Sequence, residues 1–163
     1  MILLGLGANL PSPAGPPEAT LAAALDAFGA DGVRLVRRSP WYRSPPLPAS
    51  AQPWYVNGVA LVETKHSPAD LLALLHRIEA RFGRMRGEAN AERSIDLDLL
   101  DYEGRVSIAG DPLVLPHPRL HERAFVLRPL AEIAPDWRHP RLGRTIASLI
   151  ADLPIDAAAE PIC

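Results

Sequence analysis

The sequence predicts an α+β fold, an antiparallel sheet with helices on one face, from three observations. Residues 2–8, 55–64 and the run Ile95-Asp96-Leu97-Asp98-Leu99-Leu100 read as strands, apolar throughout or alternating with period two. Residues 19–28 and the stretch after Ser67-Pro68 carry Ala and Leu at helical spacing. The resulting order is strand, helix, strand, strand, helix, strand, the split βαβ or ferredoxin-like βαββαβ plan. Many activities use that plan, so it leaves function open.

Each element has a local reason. The first strand ends at Asn9-Leu10-Pro11, and the helix over Ala19–Phe28 is predicted to close at Gly29. Val33 to Tyr42 alternates apolar and basic residues as a half-exposed strand does, and Ser44-Pro45-Pro46-Leu47-Pro48 cannot be regular. In the strand Tyr55–Thr64, Tyr55, Asn57 and Val59 share one face. Ser67 is placed to cap the next helix, with Pro68 in its first turn. The aspartate strand is expected over 94–102, turned by Glu103-Gly104. Residues 119–151 read as short helices broken at Pro129, Pro135 and Pro140, a C-terminal helical appendage. The tail from about 154 is expected to be poorly ordered.

Length and composition suit a single domain over residues 1–163. A net charge of −2 gives no global field for nucleic acid or anionic membrane. No apolar run approaches the roughly 18 residues of a membrane span, and Met1-Ile2-Leu3-Leu4-Gly5 lacks the basic flank of a secretory signal. The single cysteine is Cys163, which excludes an internal disulfide. These features predict a cytoplasmic protein. The 18 prolines, about twice the common share of roughly 5%, stiffen the loops.

The chemistry concentrates at the aspartate strand. Residues i and i+2 of a strand share a face, so Asp96 and Asp98 project together while Leu97 and Leu99 turn to the core. Paired carboxylates suit Mg²⁺, which is held by one or two carboxylates plus substrate phosphates. Just upstream lie Arg84, Arg86 and Arg93, beyond Gly83, in a stretch where the helix should be ending. Their planar guanidinium groups grip phosphate bidentately. Arg77 and Arg81 fall inside the helical pattern and read as its polar face. Aspartates beside arginines thus point to Mg²⁺ and a polyphosphate.

Two further segments stand out. Tyr42-Arg43-Ser44-Pro45-Pro46-Leu47, with Tyr55 and Asn57, offers an aromatic face and an amide suited to a planar heterocycle. Leu115-Pro116-His117-Pro118-Arg119, with Arg123 and Phe125, holds a histidine stiffly between prolines. No zinc spacing, Walker loop or dinucleotide-binding glycine motif is present. An RNA-binding module on this fold would show aromatics in an RNP pattern, whereas the aspartate strand repels phosphodiester.

These pieces resemble the 6-hydroxymethyl-7,8-dihydropterin pyrophosphokinases of folate biosynthesis. The likeness runs from Gly7-Ala8-Asn9-Leu10 to Glu132-Ile133-Ala134-Pro135 and includes Gln52 to Asn57 and Gly83-Arg84-Met85-Arg86. It implies transfer of diphosphate from ATP to the pterin hydroxymethyl group, releasing AMP. By the same likeness Ser44, Pro45 and Leu47 line the pterin pocket, Tyr55 and Phe125 sandwich the ring, and Asn57 reads its polar edge. Asp96 and Asp98 hold two Mg²⁺ ions. Glu79, Arg84, Arg86, Arg93, His117 and Arg123 belong to the nucleotide side, with Arg84 and Arg93 catalytic alongside the aspartates. A monomer acting on small molecules is expected, without nucleic acid or membrane. The chain departs from the family pattern at Gly87 to Glu92, where a Glu-Ala-Asn-Ala-Glu run replaces the usual arginine, tryptophan and proline. That departure keeps open a pterin-binding member with weak or no catalysis.

Overall fold

The computed structural model describes residues 1–46, 48–83 and 95–162. Its centre is a mixed α/β arrangement, a six-stranded antiparallel sheet with helices. The elements are β1 (Ile2–Ala8), α1 (Pro17–Phe28), β2 (Val33–Arg38), β3 (Tyr42–Ser44), β4 (Tyr55–Thr64) and α2 (Pro68–Gly83). They continue with β5 (Asp96–Tyr102), α3 (Ala124–Ile133), α4 (Ile146–Ala151) and β6 (Glu160–Pro161). The strand order is β5-β1-β4-β3-β6, with β2 also paired to β4.

One face of the sheet carries α1 and α2. Leu4 and Leu6 of β1, Val56 and Ala60 of β4, and Leu97 and Leu99 of β5 pack there with Leu21, Phe28, Leu71, Leu75 and Ile78. Ser67 caps α2 as the sequence predicts, its Oγ accepting the Asp70 N–H at 3.1 Å. Helix α1 ends at Phe28 with Gly29 as its C-cap, as the sequence predicts, although Gly29 stays right-handed. The chain continues through a 3-10 turn to Gly32, whose φ of 78° supplies the left-handed end.

The expected strand from Val33 to Tyr42 is divided in two at Ser39-Pro40. Pro40 has no N–H to give, and the Ser39 hydroxyl takes over a ladder position by accepting the Val59 N–H at 3.0 Å. Strands β2 and β3 therefore lie end to end along β4.

Residues 119–151 do more than follow the sheet. Helices α3 and α4 pack on its second face, burying Leu127, Leu130, Ile146 and Leu149 against Leu3, Val59 and Leu100. Helix α3 runs through Pro129 rather than breaking there; the proline forfeits one helical hydrogen bond but is itself buried. The tail, for which the sequence predicts little order, places β6 beside β3, with Arg43 Nη2 2.9 Å from Glu160 Oε2.

Candidate active site

The second face of the sheet is apolar where α3 and α4 cover it and changes character further along. Gly5 and Gly7 on β1 stand opposite Asp98 and Asp96 on β5. Gly7 also stands opposite Asn57 on β4. Glycines and short polar residues leave a hollow where larger side chains would fill the face. The result is a cavity of about 440 Å³.

Its floor is Gly5, Gly7 and Gly58 with Asn57, Asp96 and Asp98; Ser44, Pro45, Pro48 and Tyr55 form one wall. The start of α3 and the turn before it form another, with Arg119, Glu122, Arg123, Phe125 and Val126. A volume of this size suits a small-molecule ligand.

At the β4 end, Asn57 is buried and its Nδ2 donates to Ser44 Oγ at 2.7 Å. That bond orients the amide, and its Oδ1 faces β1. A Cβ on Gly7 would lie 3.2 Å from Asn57 Oδ1, so the glycine keeps this acceptor clear. Phe125 is half-buried against the second core cluster, with the Arg123 guanidinium 5.4 Å from its ring centre.

At the other end, Asp96 and Asp98 are half-buried and line the cavity together, as period-two alternation predicts. The His117 backbone is tied to β5, its N–H donating to Leu100 O at 2.8 Å. Its Nδ1 accepts the Arg119 N–H at 3.2 Å, which leaves the neutral ring's proton on Nε2. Burial lowers the His117 pKa, opposed by Asp98 and assisted by Arg123 and Arg119. Both features favour the neutral ring. Arg119 and Glu122 approach each other at 3.8 Å on the cavity rim.

Of the predicted site residues, Ser44, Pro45, Tyr55, Asn57, Asp96, Asp98, Arg123 and Phe125 line one cavity. Glu79 is buried on α2, and His117 has Asp98, Arg119 and Arg123 as charged neighbours; neither is in the lining. Leu47, Arg84, Arg86, Arg93 and the departure at 87–92 lie outside the described residues. Sequence reasoning missed Gly5, Gly7, Gly58 and Glu122 as lining residues. Strand register puts Gly5 and Gly7 on this face, opposite Asp98 and Asp96, and no local pattern announces it.

Asp96 and Asp98 occupy successive same-face positions on β5 and both line the cavity. Among the described residues no cluster of three or more His, Cys, Asp or Glu is formed. Comparison with known proteins shows the family. The family model for 7,8-dihydro-6-hydroxymethylpterin-pyrophosphokinase (HPPK) matches residues 3–135, and the chain belongs to that family. The chain is 42% identical over 149 residues to the 2-amino-4-hydroxy-6-hydroxymethyldihydropteridine pyrophosphokinase of Synechocystis sp., covering 91% of this chain and 73% of that protein. It is likewise 42% identical over 156 residues to the Pseudomonas aeruginosa protein of the same name, covering 95% and 93%. Among solved structures, a Plasmodium falciparum HPPK-DHPS triple mutant with SDX-DHP superposes with a TM-score of 0.69 at 16% identity. That match covers 92% of this chain and 43% of that one. It supports the fold alone.

Proposed function

We infer that this protein is an ATP-dependent pyrophosphokinase. It transfers diphosphate from ATP to the hydroxymethyl group of 6-hydroxymethyl-7,8-dihydropterin, releasing AMP, in folate biosynthesis. One observation carries the site assignment: Gly7 has Asn57 opposite it on one side and Asp96 on the other. Two strand spacings, roughly 10 Å, then separate an amide that can read a heterocycle from carboxylates that can serve a phosphate chain.

In this reading Ser44 and Pro45, with Leu47, wall the pterin, Asn57 Oδ1 accepts from its polar edge, and Tyr55 and Phe125 flank its rings. The substrate hydroxyl attacks the β-phosphorus in line. The new O–Pβ bond forms as the bond from Pβ to the α-phosphate oxygen breaks; the hydroxyl proton is released to solvent, and AMP leaves with that electron pair. Such transfer depends on positioning and charge neutralisation. Arg123 and His117, with Glu79, Arg84, Arg86 and Arg93, serve the nucleotide; Arg84 and Arg93 stabilise developing charge.

Asp96 and Asp98 fit Mg²⁺, because two carboxylates open to a cavity leave coordination positions for phosphate oxygens and water. Two ions held there would neutralise phosphate charge and polarise the transferred group.

We read the sheet order as the split βαβ plan, with β2 and β3 sharing one row and residues 119–151 added as a further layer. No described helix is long and apolar enough to cross a membrane. We place the protein in the cytoplasm as a monomer. The test is incubation with ATP, Mg²⁺ and 6-hydroxymethyl-7,8-dihydropterin. AMP and the pterin diphosphate should appear in equal amounts. Pterin binding without AMP release would leave a binding protein, and release of ADP would mean a different transfer.

A further inference from the structure

Loop 45–54 supplies one wall of the cavity through Pro45 and Pro48 and leads into Tyr55. Four prolines stiffen it, so fixing one point constrains much of its length. Asn9, just past β1, is 5% exposed, and its Nδ2 donates to Gln52 Oε1 at 3.2 Å and to Pro53 O at 3.3 Å. Both amide hydrogens are thus directed at the loop, from a residue more than forty positions away in the chain. A buried amide is costly unless its donors are met. Here they are met by this loop.

The same end of β1 contributes Gly7 to the floor, two residues before Asn9. Asn9 therefore joins floor and wall. We propose that Asn9 is a positioning residue for pterin binding, whose side-chain amide sets the spacing between the Gly7–Asn57 floor and the proline wall. The proposal rests on the pterin reading of this cavity. Asn9 is not in the cavity lining and acts through Gln52 and Pro53. Asp96 and Asp98 pair with β1 on the side away from β4, whereas the Asn9 amide bonds to the loop that leads into β4.

The experiment compares Asn9→Leu, which keeps the volume and removes the donors, with Asn9→Ala, Gln52→Ala and the Asn9→Leu/Gln52→Ala double variant. Each is titrated with α,β-methylene-ATP, and with 6-hydroxymethyl-7,8-dihydropterin in the presence of that analogue; thermal unfolding is recorded alongside. Expected is pterin binding roughly tenfold weaker in Asn9→Leu, about the loss of one net hydrogen bond. The nucleotide Kd should stay within about twofold, a split that general destabilisation does not give. The double variant should lose less than the sum of its singles, because both remove one contact. If Asn9→Ala does not fold, Asn9→Leu and Gln52→Ala decide the matter. Unchanged pterin affinity in Asn9→Leu, or equal loss for both ligands, overturns the proposal. A wild-type protein that neither binds the pterin nor releases AMP overturns the functional reading itself; a working wild type with indifferent variants defeats the Asn9 assignment alone.

Discussion

Asn57 donates through Nδ2 to Ser44 Oγ at 2.7 Å, and the opposite end of the same amide is left facing Gly7. A side chain with one end bonded to protein and the other directed at a cavity is held ready for a ligand. The hydroxyl of Ser44 keeps the amide from flipping, and the missing Cβ of Gly7 keeps its oxygen accessible.

Asn57→Ala should therefore weaken pterin binding by roughly 1–3 kcal/mol, the cost of leaving buried donors unpaired. Affinity for nucleotide alone should be unchanged. Ser44→Ala should act in the same direction but less, since it frees the amide to rotate without removing it. Calorimetric titration of each ligand separates these effects.

Gly7→Ala should reduce pterin affinity without lowering thermal stability much. The added methyl would sit 3.2 Å from Asn57 Oδ1, closer than side-chain carbons normally lie, and pushes on the acceptor rather than on the core. A variant with full pterin affinity would show that the ligand does not use this part of the floor.

Asp96→Ala and Asp98→Ala should each lower turnover by on the order of 10²–10³ or more, the scale of lost transition-state charge stabilisation. Far-UV dichroism should be unchanged, because both side chains face the cavity rather than the core. Chelation of Mg²⁺ should arrest the wild type and be reversed by adding the ion back. Near-normal AMP release in both variants would end the assignment.

Behind the site, Trp137 Nε1 donates to Asp101 Oδ2 at 2.8 Å, and both residues are buried. This bond ties the segment after α3 to β5. Trp137→Phe should destabilise the fold by roughly 1.5–3 kcal/mol, since it removes a donor from a buried acidic side chain. Asp101 keeps the Gly104 N–H at 3.0 Å, so the protein should still fold. Urea denaturation reads the difference directly.

His139 gives the pH dependence. Its Nδ1 accepts from the Arg141 and Leu142 N–H groups at 3.2 and 3.1 Å. Burial lowers its pKa below the ordinary 6.5, with His121 and Arg141 adding to the effect and Asp101 opposing it. The unfolded chain then binds the extra proton first. The contribution of His139 to stability is complete above about 6.5 and is lost as pH falls through the depressed folded value. Thermal midpoints should drop between pH 7 and 5, and His139→Asn should flatten part of that slope. His117 is lowered in the same direction and should account for some of what remains.

How much of this was legible beforehand can be seen residue by residue. The helix cap at Ser67 and the strand Tyr55–Thr64 were readable because each depends on neighbours within a few positions. The division of the second strand at Pro40 was missed, although the proline carries a local signal for it. The hydrogen bond from Val59 N–H to Ser39 Oγ that bridges the break has no such signal, because it joins residues twenty apart.

The sequence by itself determined that Asp96 and Asp98 share a face, since a period of two is a property of the extended backbone. It also determined the proline-stiffened loops and the family resemblance, which are carried by residue identity and local spacing. Only the tertiary structure decided that Gly7 separates Asn57 from Asp96, and that residues 119–151 cover the second face and wall the cavity. Pairing register and helix docking are set by which apolar surfaces meet across the whole chain. Local periodicity shows that a face is apolar; contacts between distant segments decide what covers it and where it is left open.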